Sequence, residues 1–169
     1  LKQTEQANAM LSRLSSFLRF TLINEAEAKV TLSQEVETLK LYLDIEKMRF
    51  EERLRTDFDI DDDVTEALVP SLLLQPLVEN AIKYGVSRST RPVTVSIAAT
   101  AIDGWMTIIV DDDGEDSPTK EHGNGIGLAN VRDRLEARYG DSASLTKGRK
   151  PDGGYRATIV IPISPKDLA

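Results

Sequence analysis

Apolar positions in residues 3–23 recur at intervals of three and four: Ala7, Met10, Leu14, Phe17 (or Leu18) and Leu22 form one stripe. That period predicts an amphipathic helix. The polar run 24–29 either extends this helix or links it to a second one, predicted over 33–53. Thr31 or Ser33 is placed to cap the second helix. Val36, Leu39, Leu43 and Phe50 mark one face of it, and Leu41, Tyr42 and Ile45 widen the apolar surface. Such a helix has either a broad core face or contacts with both its own domain and a neighbour. Alternation over 55–60 predicts a strand, and 61–66 reads as a solvated turn. Pro70 suits the opening of a third helix, where its missing N–H is harmless. That helix is expected to stop near Gly85, a residue that tolerates a left-handed helix end. Residues 93–99 and 105–111 read as neighbouring strands joined by a turn at Asp103-Gly104. Residues 115–124 show no period and read as a loop. A fourth helix over 126–139 turns Leu128, Val131 and Leu135 inward and ends at Gly140. Strands over 143–147 and 155–161 flank a turn at 148–154.

Helices and strands in this order do not alternate regularly. The pattern therefore favours the α+β class, a two-layer sandwich whose mixed sheet is covered on one face by helices. The length of 169 residues suits one domain with a helical appendage, and 40% apolar residues suffice for a core. With 28 acidic and 21 basic side chains the net charge is -7. No basic field of the kind that nucleic-acid binding needs is visible. Cysteine is absent and His122 is the one histidine. Those counts exclude disulfides, thiolate chemistry, cysteine-ligated zinc and a histidine-rich metal site. No stretch approaches the ~20 apolar residues that span a bilayer. The chain begins at Leu1 without a signal peptide and reads as a piece of a longer protein, cytoplasmic in itself and compatible with a membrane segment further upstream.

Three motifs carry candidate chemistry. The first is Glu79-Asn80 in the apolar run 73–82. Polar groups there need partners. Glu79 and Lys83, four apart, could simply pair on the helix surface. Alternatively, Asn80 offers its amide oxygen to Mg²⁺, Glu79 orients or deprotonates a water or hydroxyl, Lys83 faces phosphate, and Tyr84 lines a nucleotide rim. The second motif is Asp111-Asp112-Asp113-Gly114 at a predicted strand end. It is a solvated turn, a calcium loop (whose regular oxygen-ligand spacing and terminal glutamate are missing), or the seat of an adenine base, since an ionised carboxylate accepts a hydrogen bond from the exocyclic amine. The third is Gly123-Asn124-Gly125-Ile126-Gly127, directly before a helix. It is either a flexible loop with Asn124 as cap, or a backbone cradle for phosphate oxygens. Its glycine spacing matches neither the dinucleotide fingerprint nor the P-loop.

In combination and in this order the motifs resemble the ATP-binding catalytic domain shared by sensor histidine kinases and gyrase-type ATPases, the Bergerat fold. More narrowly, the chain resembles LytS-type sensor histidine kinases. The resemblance is carried by Met10-Leu11-Ser12-Arg13-Leu14-Ser15-Ser16-Phe17-Leu18-Arg19-Phe20, by Leu32-Ser33-Gln34-Glu35-Val36-Glu37 and by Tyr42-Leu43-Asp44-Ile45-Glu46-Lys47-Met48-Arg49-Phe50. Residues 74–83 and 125–135 continue it. It implies that residues 1–30 are the second helix of a dimerisation and phosphotransfer hairpin and that 31–165 form the ATP-binding domain. It implies ATP and Mg²⁺ as ligands, with Asn80 as metal ligand, Glu79 as the carboxylate beside it and Lys83 on the phosphate side. Asp112 and Gly114 match the first glycine box. Gly123, Gly125 and Gly127, with Leu128, match the second, which closes over the phosphates as part of a lid over 115–124. Thr158 is expected near the adenine edge.

Three positions depart from the family pattern. Asp113 stands where asparagine is frequent, Asp116 where a second glycine is expected, and Tyr84 where histidine is frequent. The acceptor segment resembling Asn-Pro-His-Phe is not present, and His122 is placed as a rim or loop residue. The resemblance thus implies the catalytic part of a bacterial two-component kinase, a transferase acting in signal transduction. It would position Mg-ATP for transfer to a histidine on an upstream helix, and so not phosphorylate itself as this piece. The expected partners are a second copy in a homodimer, an upstream sensor domain and a response regulator. The competing readings are an ATP-hydrolysing or serine-kinase member of the same superfamily, or a degenerate dimerisation module.

Overall fold

The computed structural model of the protein describes residues 1–23, 28–115 and 126–164. Its elements are α1 (Lys2–Ile23), β1 (Lys29–Thr31), α2 (Leu32–Phe50), β2 (Leu54–Ile60), β3 (Leu68–Pro70), α3 (Gln75–Asn80), β4 (Val93–Ile102), β5 (Trp105–Asp112), α4 (Ile126–Tyr139), β6 (Ser144–Arg149) and β7 (Tyr155–Pro162). Five strands form a mixed sheet in the order β2-β4-β5-β7-β6. β2 and β4 run parallel, and the other pairs run antiparallel. Strand periodicity decides the inner face. Val93, Val95, Ile97, Met106, Ile108, Val110, Ala157, Ile159 and Ile161 are buried at alternate positions. They share one core with Leu39 and Leu43 of α2, Leu77 and Val78 of α3, and Val131 and Leu135 of α4. The outward positions Ser96, Ile109, Thr158 and Val160 are half-buried. This is the α+β, helix-covered mixed sheet that the pattern of the chain predicts.

Local chemistry sets the element ends. Thr31, not Ser33, caps α2: its hydroxyl accepts from Gln34 N at 3.1 Å while Gln34 Oε1 accepts from Thr31 N at 3.0 Å. Asp103 and Gly104 turn the β4–β5 hairpin with φ of 51° and 82°, the two left-handed residues of a type I′ turn. The expected helix start at Pro70 is corrected. Pro70 pairs with Lys29 at the end of a small antiparallel sheet of β1 and β3, three-residue strands too short to show a period. Pro76 takes the opening position of α3 instead. The expected left-handed stop at Gly85 is also corrected: α3 continues as a π-helix over Ala81–Val86, and Gly85 is buried within it.

Between β3 and α3 the chain turns sharply, with Leu72 at φ 57°. A bulky residue in that region costs about 1–3 kcal/mol and persists only where its surroundings impose it. Here Glu35 of α2 accepts from Leu72 N and Leu74 N, each at 3.0 Å. Arg134 of α4 donates to Ser71 O at 2.5 Å and to Leu72 O at 3.3 Å. Burial pushes the Glu35 carboxyl above its ordinary range, opposed by the Leu74 and Leu72 N–H groups and by the Arg134 charge.

α1 rests on α2 through a Phe17–Tyr42 ring contact with centroids 5.9 Å apart. Met10, Leu11, Leu14 and Leu18 of α1 stay exposed. Among the described residues no helix is long and apolar enough to cross a membrane.

Candidate functional site

One apolar cleft opens where four elements meet. Leu77, Asn80 and Ala81 line it from α3, Val110 and Asp112 from β5, Leu128 from α4, and Tyr155 and Ala157 from β7. Register explains the last two, since Asp112 pairs with Tyr155 and Val110 with Ala157. The free space is about 20 Å³, room for about one water.

The three consecutive aspartates have three different tasks. Asp111 faces away from the cleft and holds Arg156 in two hydrogen bonds of 2.7 Å, with Lys150 at 3.9 Å. Asp113 accepts from Thr94 N at 2.6 Å, and its carbonyl accepts from the Arg91 guanidinium at 3.1 Å. Asp112 lies between them, 6% exposed, and its Oδ1 accepts from Gly114 N at 3.0 Å. Alternation along β5 sends only Asp112 to the inner face.

Three glycines crowd Asp112. A Cβ on Gly85 would lie 2.7 Å from the Asp112 carboxyl carbon and Oδ1, and one on Gly114 would lie 2.9 Å from Oδ1. A Cβ on Gly154 would lie 2.0 Å from the Asp112 carbonyl oxygen. Gly85 and Gly114 thus box the carboxylate with backbone that carries no side chains, and Gly154 presses on the Asp112 main chain. Burial, and next the charge of Asp112, push the Tyr155 hydroxyl up, so at neutral pH Tyr155 brings a neutral phenol to the same wall.

Of the other predicted positions, Asn80 is half-buried on the cleft wall and Leu128 is buried opposite it. Gly127 is exposed in the first turn of α4, where a Cβ would meet Pro76 at an ordinary 3.6 Å. Glu79 is exposed and accepts from Gln75 Nε2 at 3.2 Å. Its charge, after burial and Glu46, raises the Tyr42 hydroxyl on α2. Lys83 is exposed and Tyr84 is buried, with the Tyr84 ring 5.1 Å from Lys83 Nζ and 4.9 Å from the Arg88 guanidinium. Tyr84 is thus placed under a cationic surface rather than on the cleft wall. Gly123, Gly125, Asn124, Asp116 and His122 lie outside the described residues.

The expectation for Thr158 is corrected. It pairs with Ile109 and Thr146 and stands on the outer face of the sheet, in a second groove with Arg156 and Lys150. The neighbouring Ala157 is the residue that reaches the cleft. Successive strand residues point to opposite faces, so an offset of one residue moves the side chain through the sheet. Gly85, Gly154 and Tyr155 were not among the predicted site residues. Gly85 and Gly154 read as ordinary helix-end and turn glycines, and the pairing of Tyr155 with Asp112 is a long-range fact.

Among the described residues no group of three or more His, Cys, Asp or Glu side chains could hold a metal. Mg²⁺ usually takes one or two protein oxygens and completes its shell with water and substrate phosphates. A lone amide oxygen at Asn80 fits that shared arrangement, and the buried carboxylate at Asp112 fits an amine-bearing heterocycle.

Comparison with known proteins gives a consistent picture. Residues 66–165 match the model of the histidine kinase-, DNA gyrase B- and HSP90-like ATPase family, and residues 1–54 match a histidine kinase model. The sensor histidine kinase YesM of Bacillus subtilis is 37% identical over 164 residues, which is 95% of this chain and 28% of that protein. The sensor protein LytS of Oceanobacillus iheyensis is 32% identical over 172 residues, covering 94% of this chain and 29% of that protein. The chain therefore spans under a third of the length of these relatives. A histidine kinase domain from a blue-light activated histidine kinase of Erythrobacter litoralis superposes with a TM-score of 0.62 at 20% identity, covering 98% of this chain and 82% of that one.

Proposed function

The chain belongs to the histidine kinase-, DNA gyrase B- and HSP90-like ATPase family, and from that premise we propose that it is the ATP-binding catalytic portion of a LytS-type sensor histidine kinase. The observation that carries this reading is Asp112, a buried carboxylate at the end of β5, boxed by Gly85 and Gly114 in an apolar cleft. Such a group accepts the exocyclic amine of adenine and rejects a guanine carbonyl. Asn80 would hold Mg²⁺ through its amide oxygen. The metal, when bound, neutralises charge on the phosphates, and phosphoryl transfer then depends mainly on positioning. Leu77, Ala81, Val110 and Leu128 exclude water around the base. Lys83, exposed one helical turn beyond Glu79, is the residue assigned to the phosphate side. Glu79 is assigned to accept the proton of the group that attacks the phosphorus, its own position steadied by Gln75.

The acceptor in this reading is a histidine on a helix that packs beside α1. The exposed Met10, Leu11, Leu14 and Leu18 support a helical partner there, in a homodimer. A sensor domain upstream and a response-regulator aspartate downstream complete the proposed pathway. The proposed division places residues 1–30 in the dimerisation segment and 31–165 in the ATP-binding domain. Burial of Leu32, Leu39 and Leu43 in the same core as the sheet supports assigning α2 to the second part.

Titration calorimetry with ATP, with and without Mg²⁺, tests the reading. The protein is expected to bind ATP more tightly with Mg²⁺. Asn80→Ala is expected to lose roughly tenfold of the affinity in Mg²⁺, about 1.4 kcal/mol, and little in chelator. A folded protein that binds no adenine nucleotide would refute the assignment.

A further inference from the structure

We propose that Glu35 and Arg134 are positioning residues for the metal side of this site: they clamp the 71–74 turn that launches α3, and so set where Asn80 stands over the cleft. The inference rests on the Mg-ATP reading given above. Glu35, 1% exposed on α2, takes the N–H groups of Leu72 and Leu74. Arg134 on α4 takes the carbonyls of Ser71 and Leu72. Leu72 therefore has its N–H held by one helix and its carbonyl by another, at a φ of 57° that leucine does not adopt unconstrained. The held turn passes directly into α3 at Gln75, and Asn80 lies at the end of the same short helix.

The geometry separates two halves of the site. Asn80 depends on the tilt and rotation of α3, which this turn sets. Asp112 sits on β5, between β4 and β7 in the sheet, and meets the α3 segment only through Gly85 and the wall residues Leu77 and Ala81, so it depends on the turn less than Asn80 does. Arg134 also joins the turn to α4, the helix that carries Leu128 to the cleft. Loosening the turn should then impair metal-assisted binding more than recognition of the base. A purely structural role predicts no such split.

The test is ATP titration calorimetry on the full chain, in Mg²⁺ and in chelator, below the onset of thermal unfolding. Glu35→Gln keeps one acceptor and turns an amide N–H toward the other backbone donor. Arg134→Gln removes the two-carbonyl grip. Each is expected to reduce the Mg²⁺-dependent gain in affinity by about tenfold, the lower end of what losing the outer support of a metal ligand produces, with a smaller loss in chelator. Arg134→Lys, still able to reach one carbonyl, should recover part of the gain. Arg134 is only half-buried, so its variants carry the test even where Glu35→Gln does not fold. A Mg²⁺ gain that survives in the Arg134 variants overturns the inference alone, and so does an equal loss in both conditions. A wild-type protein whose ATP affinity gains nothing from Mg²⁺ overturns the site reading and this inference with it.

Discussion

Asp112→Asn is expected to weaken ATP binding roughly 10- to 150-fold, the equivalent of the about 1.5–3 kcal/mol carried by a hydrogen bond to a charged group. The substitution is nearly isosteric, so the box made by Gly85 and Gly114 still closes around it. The asparagine carbonyl oxygen keeps the bond from Gly114 N, now made to Oδ1 at 3.0 Å. Its NH₂ then replaces the second carboxylate oxygen and presents a donor to the donor amine of adenine. Guanine, which presents a carbonyl at that edge, meets a better partner than before. Calorimetry with ATP and GTP on wild type and variant reads both effects. ATP should lose affinity and the gap between the two nucleotides should narrow. Unchanged ATP binding by the variant would show that Asp112 does not read the base.

Much of the fold is legible in the sequence because its signals are local. The period of α1, the capping residues before α2, the Asp103-Gly104 turn and the Gly140 stop all depend on neighbours within a few positions. The small sheet of β1 and β3 is illegible for the opposite reason: each strand has three residues, and the two meet across 36 intervening positions between Thr31 and Leu68. Pro70 and Pro76 illustrate the same limit. Both suit a helix start by local rules, and the pairing of Pro70 with Lys29 decides between them.

The site divides in the same way. The residue types at Asn80, Asp112 and Gly114 state their chemistry within their own motifs. The assignment of single tasks to Asp111, Asp112 and Asp113 needs the strand direction and the partners Arg156 and Thr94. Thr158 shows how sharply this matters, because a shift of one residue along β7 moves a side chain from the cleft to the outer groove. Gly85 and Gly154 carry no sign of their role, since what requires a glycine at each is the approach of Asp112 from a distant strand.

Gly154→Ala is expected to lower stability by about 4 kcal/mol, combining a left-handed backbone cost of about 1–3 kcal/mol with overpacking of about 1–3 kcal/mol. For a chain of this size that corresponds to a fall of roughly 8–16 °C in Tm. The residue has φ 86°, and the added Cβ would meet the Asp112 carbonyl oxygen at 2.0 Å, its carbon at 2.9 Å and the Asp113 Cα at 2.9 Å. All three are backbone atoms at the paired end of β5 and β7, so no flexible side chain can yield. Gly153 supplies the control. Its φ is 97° and nothing lies within 4 Å of its added Cβ, so Gly153→Ala carries the backbone cost without the collision. Thermal unfolding followed by circular dichroism should therefore rank wild type above Gly153→Ala, and Gly153→Ala above Gly154→Ala by several degrees. Equal losses in the two variants would mean that the close approach of Gly154 to Asp112 is not part of the folded state. With the predicted ranking, the approach that destabilises the alanine variant is the one that holds Asp112 in place. The same variant should therefore also lose ATP affinity at temperatures where it remains folded.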